Sequence, residues 1–352
     1  MKTAIIYYGG FLKGSGGAFF HAKNTECELI RLGWKVEIIT LDDLPLFFKY
    51  LPHLIERFIN LFFRPIGYVY KAYITKFLYK ILFNKKVDVR IFEDIYISWN
   101  SSVPTVTILH AVWSDNLQPF SIFSRFEKKF KEYEVRIINK IQHRLVTVSY
   151  PYKDYILNHH FHEDITKSIG VVELGLDQSL FVSPKITIHK KKSMVYSGAL
   201  EARKNISFLL GVFKRLYELD PDYKLTIIGW GANRSKYEDF VKQNKLPVRF
   251  LGRLTHSEVV SELYHHELYI HTSVKESFSY SLLEAKLAGL KTIANVKLQV
   301  PSEFIDIGFD EFVVDKWCDG IMSNSYTPKI FDGSKYTSEK MVQTTLKLSS
   351  ST

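Results

Sequence analysis

"LYIHTSVKESFSYSLLEAKLAG", Leu268 to Gly289, changes its hydrophobic period part-way along. Leu268 to Ser273 is a short apolar run rich in β-formers and reads as a buried strand. Beyond it, Leu282, Leu283, Leu287 and Leu290 recur at helical spacing, Ser279 is a good N-cap and Gly289 a fitting C′ residue, so a helix is predicted over 280–288. Strand, loop and helix in that order make one unit of a parallel α/β sheet.

The same alternation continues in both directions. Towards the amino terminus lie strands at 223–229 and 248–254, helices at 206–219 and near 235–243, and "THSE", whose Thr255 and Glu258 form a capping box for a helix through His266. The alternation begins with a strand in "SMVYSGAL" (193–200), after a Pro- and Lys-containing stretch, 183–193, of linker character. In the first half, strands are predicted in 2–8, 35–40, 87–92, 105–110 and 144–149, with a glycine-rich loop and a helix over 18–32 that Gly33 stops. A chain of 352 residues exceeds the ~250–300 at which single cores stop growing. The expectation is α/β, two Rossmann-like doubly wound domains in tandem: 1–182, 183–335, and a terminal helix in 336–352 packing back on the first.

Hydrophobic content of 46% with 24% charged residues is globular. Cys27 and Cys318 are far apart with no CxxC, which excludes a cysteine-based zinc or iron–sulfur site and reads as two packing residues in a reducing compartment. Gly9 and Gly10 cut the first apolar run too early for a signal-peptide core, so a cytoplasmic location is expected. The net charge of +10 is concentrated: residues 47–86 hold eight bases against Glu56, with twelve aromatics, Phe58, Phe62, Phe63, Tyr73 and Phe77 among them. No window there is free of charge for the ~18 residues a span needs. Two readings stay open for 47–86: amphipathic helices lying on an anionic membrane, or ordinary helices with a buried aromatic stripe. A third, nucleic-acid binding, has no recognised motif behind it, and no nucleic-acid partner is expected.

Glu276 and Glu284 bracket the start of the predicted helix with no base between them. Around that start lie the N–H groups of Ser279, Tyr280, Ser281 and Leu282, an anion site aided by the helix dipole. Phosphate in the middle and carboxylates accepting from hydroxyls on either side would describe a nucleotide sugar; two acids that merely suit the helix dipole fit the spacing as well.

"ESFSYSLLEAKLAG" resembles the E-x7-E motif of retaining GT-B glycosyltransferases of family four, and the likeness extends in order through "GSGGAFFHAKNTECELIRLGWKVEIIT", "LVTVSYPYKDYI", "VVELGLDQSLF", "GALEARKN", "IIGWG" and "FLGRLTHSEV". With the basic aromatic segment 47–86 tilting the acceptor toward a lipid-linked or envelope glycan at the inner membrane face, the resemblance implies two domains facing a cleft and transfer of a hexose from a UDP-, GDP- or dTDP-sugar to a hydroxyl of a glycan or lipid-linked acceptor, in envelope polysaccharide or glycoconjugate synthesis. It also implies retention of configuration, with no cofactor and no metal. Residue by residue, Glu276 would hold the sugar hydroxyls and support catalysis with His110, and Glu284 would hold the ribose. Arg203 and Lys204 would hold the diphosphate, and the segment from Ser277 through Phe278, Ser279, Tyr280 and Ser281 to Leu282 would line the donor. Gly16 and Gly17 would let the first-domain loop approach the phosphates. The chain departs from the pattern at Ala199, where many relatives carry arginine, and at Ser279, where glycine is usual. A binding or scaffold protein of the same fold is the competing class.

Three rival motifs read as structural. "DPD" (220–222) lies before a strand, at the edge opposite ligands, and suits a turn. "GSGGAF" lacks the third glycine of a dinucleotide fingerprint, having Phe19 there. "HHFHED" (159–164) reads as a surface loop.

Overall fold

The computed structural model describes all residues except 13–15, 64–65, 117–123, 182–189, 324–329 and 351–352. The chain forms two compact units, one of residues 1–177 with 336–352, the other of 178–335. The first unit runs β1 (Thr3–Tyr7), α1 (Gly17–Arg31), β2 (Lys35–Ile39), α2 (Leu46–Lys49), α3 (Leu51–Phe63), α4 (Gly67–Leu82), β3 (Val89–Phe92), β4 (Thr105–Leu109), α5 (Trp113–Asn116), α6 (Ser124–Lys140), β5 (Arg144–Thr147), α7 (Tyr150–Asp154) and β6 (Ile169–Val171). The second runs β7 (Lys190–Ser197), α8 (Ile206–Leu219), β8 (Lys224–Ile228), α9 (Arg234–Gln243), β9 (Val248–Gly252), α10 (His256–Leu263), β10 (His266–His271), α11 (Tyr280–Leu287), β11 (Lys291–Asn295), β12 (Ile307–Phe309) and α12 (Val314–Met322). The last helix, α13 (Ser338–Ser349), packs on α1, β3 and β4 of the first unit.

Each unit holds a parallel six-stranded sheet, ordered β2-β1-β3-β4-β5-β6 in the first and β12-β11-β10-β7-β8-β9 in the second. This is the two-domain Rossmann-like α/β architecture expected. The strand order reverses between β1 and β3 in one sheet and between β7 and β10 in the other, and in open α/β sheets such switch points leave a crevice at the strands' carboxyl ends. The second core is built from Leu209, Leu210, Phe213 and Leu216 of α8 against Met194, Tyr196, Leu225, Ile227 and Trp317. The first gathers Ile5, Tyr7, Phe92 and Trp99 with Tyr79 of α4.

Several boundaries differ from the sequence expectation. β7 begins at Lys190 rather than 193, because its first residues pair with β10; residues 183–189 of the expected linker lie outside the described residues. α10 ends at Leu263, and His266 opens β10, its ring bonded to Ser193 Oγ at 2.6 Å across the pair. Cys318 is buried, but Cys27 is exposed and is not a packing residue. In the "HHFHED" stretch, His160 and Phe161 are buried rather than on the surface; His160 Nε2 lies 2.6 Å from Ser114 Oγ. The aromatics of 47–86 are divided: Tyr79 is buried in the first core with Phe48 and Phe83 packed against it, whereas Phe58, Phe62, Phe63, Tyr73 and Phe77 are all more than half exposed.

Candidate active site

In the second unit the loops after β7 and β10, the strands flanking the switch point, are tied together. Val274 N–H donates to Arg203 O at 3.0 Å, and Thr272 Oγ1 donates to Lys204 O at 2.8 Å. These bonds bring Lys204 and Glu276 together, and the buried Lys204 ammonium donates to the Glu276 carboxylate. Arg203 Nη1 lies 3.8 Å from the same oxygen, and His271 Nε2 lies 3.3 Å from it. Burial acts to raise the Glu276 carboxyl, but Lys204, then His271 and Arg203, hold it well below the usual range. Glu276 is therefore an ionised acceptor among three basic groups.

Glu284 stands apart from that cluster and pairs with His256 Nε2 at 3.0 Å. Between the two acids, Ser279 caps α11, its hydroxyl accepting from Leu282 N–H at 3.4 Å, with φ 73° and ψ 89°. That is left-handed backbone, which disfavours any residue with a Cβ. Phe278 is buried against Phe304 and Tyr280, with ring centroids 5.3 and 5.7 Å apart, and Leu282 is fully buried. Those two side chains are core, so only their backbone can meet a ligand. The buried Tyr269 donates to Ser197 O at 2.9 Å; its phenol is raised by burial and, less, by the fields of Glu284 and Glu276.

In the first unit the corresponding switch point holds His110 directly after β4 and Glu93 directly after β3. His110 Nε2 is 2.8 Å from Glu93 Oε2, and His21 Nδ1, from α1, is 2.8 Å from the same oxygen. Burial acts to raise the Glu93 carboxyl, but His21 and His110 hold it down at about 2. Burial also lowers His110 below the usual imidazole value, against the opposing pull of Glu93. Among the described residues this is the one group of three with ligand atoms near enough to share a metal ion, all within 4.8 Å of one another. Gly16 is extended, at φ 165°, with open space where a side chain would be, and Gly17 is the first residue of α1. Backbone strain therefore gives no reason for glycine at 16.

Residues 181–318 match the family model described as "Glycosyl transferases group 1". This part of the chain is a glycosyl transferases group 1 domain. The group 1 domain thus contains Arg203, Lys204, Glu276 and Glu284 together with His256 and His271. Among curated relatives, the chain is 28% identical over 128 residues to a component of the human phosphatidylinositol N-acetylglucosaminyltransferase, covering 36% of this chain and 26% of that one. It is 24% identical over 202 residues to a 2-deoxystreptamine N-acetyl-D-glucosaminyltransferase of Niallia circulans, covering 54% and 51%. The chain thus spans between about a quarter and a half of the length of these relatives. A crystal structure of a TarM mutant from S. aureus, in complex with Fondaparinux, alpha-GlcNAc-glycerol and UDP, superposes with a TM-score of 0.69 at 13% identity, over 99% of this chain and 96% of the other.

Sequence reasoning missed His271 and His256 of the group 1 domain, and His21 and Glu93 of the first unit. His271 carried a usable signal, since it is a histidine at the carboxyl end of a strand, as His110 is. Glu93 likewise follows a strand directly. His21 sits within a helix, and only tertiary packing reveals its partner.

Proposed function

We propose that the chain is a retaining glycosyltransferase that moves a sugar from a nucleoside diphosphate to a hydroxyl of a glycan or lipid-linked acceptor. The observation that carries this reading is the cluster at the switch point of the group 1 domain, where Lys204 and Arg203 converge on an ionised Glu276. A donor's diphosphate draws the two cations onto itself, and Glu276 is left to accept hydrogen bonds from sugar hydroxyls. The N–H groups opening α11 add the partial positive charge of a helix terminus. Glu284 exchanges His256 for the ribose hydroxyls. When the anomeric C–O bond breaks, charge develops on the leaving phosphate, and fixed cations there stabilise the transition state more than the ground state. The acceptor oxygen attacks the same face, and its proton passes to the departing phosphate oxygen.

The names of the two relatives and the UDP held by the TarM mutant make UDP-N-acetylglucosamine the first donor to test. A thermal-shift panel of UDP, GDP, dTDP, ADP and NAD should give strong stabilisation by one nucleoside diphosphate. Stabilisation by NAD alone would replace this reading with a dehydrogenase. Glu276→Ala should abolish transfer while the fold survives, and unchanged turnover would sink the assignment; the anomer of the product, read by NMR, tests retention.

The acceptor side of the proposal rests on α3 and α4. Leu54, Phe58, Leu61 and Phe62 fall on one face of α3 and all are exposed, as are Tyr73, Phe77 and Ile81 on α4. Among the described residues no helix is long and apolar enough to cross a membrane. With exposed Arg57, Lys80, Lys85 and Lys86 near this surface in sequence, the pair suits an anionic bilayer surface, each base adding about 1 kcal/mol. Sedimentation with anionic but not neutral vesicles, weakened by Phe58→Ser with Phe62→Ser, is the expected result; no sedimentation of the unmodified chain would remove the membrane from the proposal.

A further inference from the structure

We infer that Glu93 and His21 are positioning residues that fix the tautomer of His110, presenting Nδ1 of His110 as a bare hydrogen-bond acceptor for a substrate hydroxyl. The inference rests on the glycosyl-transfer reading for its consequence but not for its geometry. His21, Glu93 and His110 come from the segments following β1, β3 and β4, three neighbouring strands, so the switch point itself assembles them. Glu93 is buried, with its backbone N–H held by Tyr7 O at 3.0 Å. Its carboxylate, ionised at neutral pH, can only accept. Every ring nitrogen within hydrogen-bond distance of it must then carry a proton. Those nitrogens are His110 Nε2 at 2.8 Å and His21 Nδ1 at 2.8 Å.

A neutral His110 protonated at Nε2 has its lone pair at Nδ1, and burial favours the neutral ring. The His21 ring also braces His110, edge-on at a centroid distance of 5.1 Å. His110 is thereby held in one orientation and one protonation pattern before substrate arrives, which is the function a buried carboxylate serves behind a reacting imidazole. A metal ion in the same place would need each donor about 2.0–2.2 Å from it and both facing nitrogens deprotonated. Protons and a metal are thus mutually exclusive occupants, and they can be told apart.

The test is long-range 1H–15N correlation on full-length protein labelled with 15N-histidine, assigned with His110→Asn and His21→Asn. Expected at neutral pH are a His110 protonated at Nε2 with a bare Nδ1 and a His21 protonated at Nδ1. A His110 protonated at Nδ1, or a stoichiometric metal found by elemental analysis with both histidines metal-shifted, overturns the inference. Glu93→Gln should lower kcat by about 10- to 100-fold, with the donor KM moving less than about twofold, the pattern of a misoriented hydrogen-bond acceptor that acts in the transition state. An unchanged kcat in folded Glu93→Gln also overturns it. The unmodified protein's spectrum decides the tautomer even where the variant does not fold. It does so whether or not the chain transfers sugar, so a failed transfer assay counts against the proposed function alone.

Discussion

Replacing Lys204 by Met removes the cation that faces Glu276 while leaving its side-chain volume nearly unchanged. Lys204 and Glu276 are both almost buried, with side chains 11% exposed, and the ion pair between them is direct. Breaking a buried pair by deleting one partner costs about 3–5 kcal/mol, because the remaining charge is desolvated without compensation. Glu276 keeps part of that compensation here, since His271 remains at 3.3 Å and Arg203 at 3.8 Å. The expected loss is therefore smaller, about 2–3 kcal/mol. Lys204→Met with Glu276→Gln should recover about 1–2 kcal/mol of it, because the second change removes the stranded charge. Equilibrium urea unfolding of the four proteins of this cycle, with the nucleoside diphosphate that stabilises the parent added in a parallel series, measures both quantities. Lys204→Met should also abolish the ligand-induced shift. A single-variant loss below about 0.5 kcal/mol, with strictly additive effects in the double variant, would show that the pair is effectively solvated and refute this account of the cluster.

The His143 ring is buried, bonded through Nε2 to Thr107 Oγ1 at 2.7 Å, and burial first, with Lys167, Arg90 and Lys76 adding to it, depresses it to about 4. A depressed imidazole contributes stability that is present above its unfolded value near 6.5 and lost as pH falls towards 4, about 3 kcal/mol in all. Urea midpoints should fall across that window and fall less steeply in His143→Gln; parallel slopes would reject the assignment. Gly229 has φ +137°, and a Cβ there would lie 1.8 Å from Gly198 O, so Gly229→Ala should cost about 3 kcal/mol or more and loosen the turn after β8, read as a lower melting temperature. Ser279→Gly relieves about 1–2 kcal/mol of left-handed strain, offset by about 0.4–1 for unfolded-chain entropy and a few tenths for the cap, leaving about 0.5 kcal/mol of stabilisation. A destabilisation above about 1 kcal/mol would mean the Ser279 cap outweighs its backbone strain.

Much of the fold was legible because its cues are local. The helix over 206–219 coincides with α8, and Thr255 with Glu258 forms the capping box that opens α10. Ser279 caps α11, and Gly289 closes it at φ +81°. Where local cues were shared between states, the reading slipped: "YHHELYIH" offers apolar and histidine residues that suit a helix end or a strand start equally. The pairing of β10 with β7 decides for strand from His266 onward.

For the site, sequence by itself determined which residue types stand at strand ends and helix starts, because periodicity and capping are properties of neighbours along the chain. Spacing by itself singled out Glu276 and Glu284, and the family resemblance added Lys204 and His110. Which of them meet was decided only by tertiary structure. Glu276 is ion-paired with Lys204, seventy-two positions away, and Glu284 lies against His256 instead, so the two acids of one motif have separate partners. Likewise, whether the aromatics of 47–86 are core or surface depends on what packs over them. A helix's amphipathic pattern records that one face is apolar but not what covers it. Backbone conformation was also invisible to composition: nothing in the residue types of "ESFSYSLLE" announces that Ser279 adopts a left-handed φ of 73°.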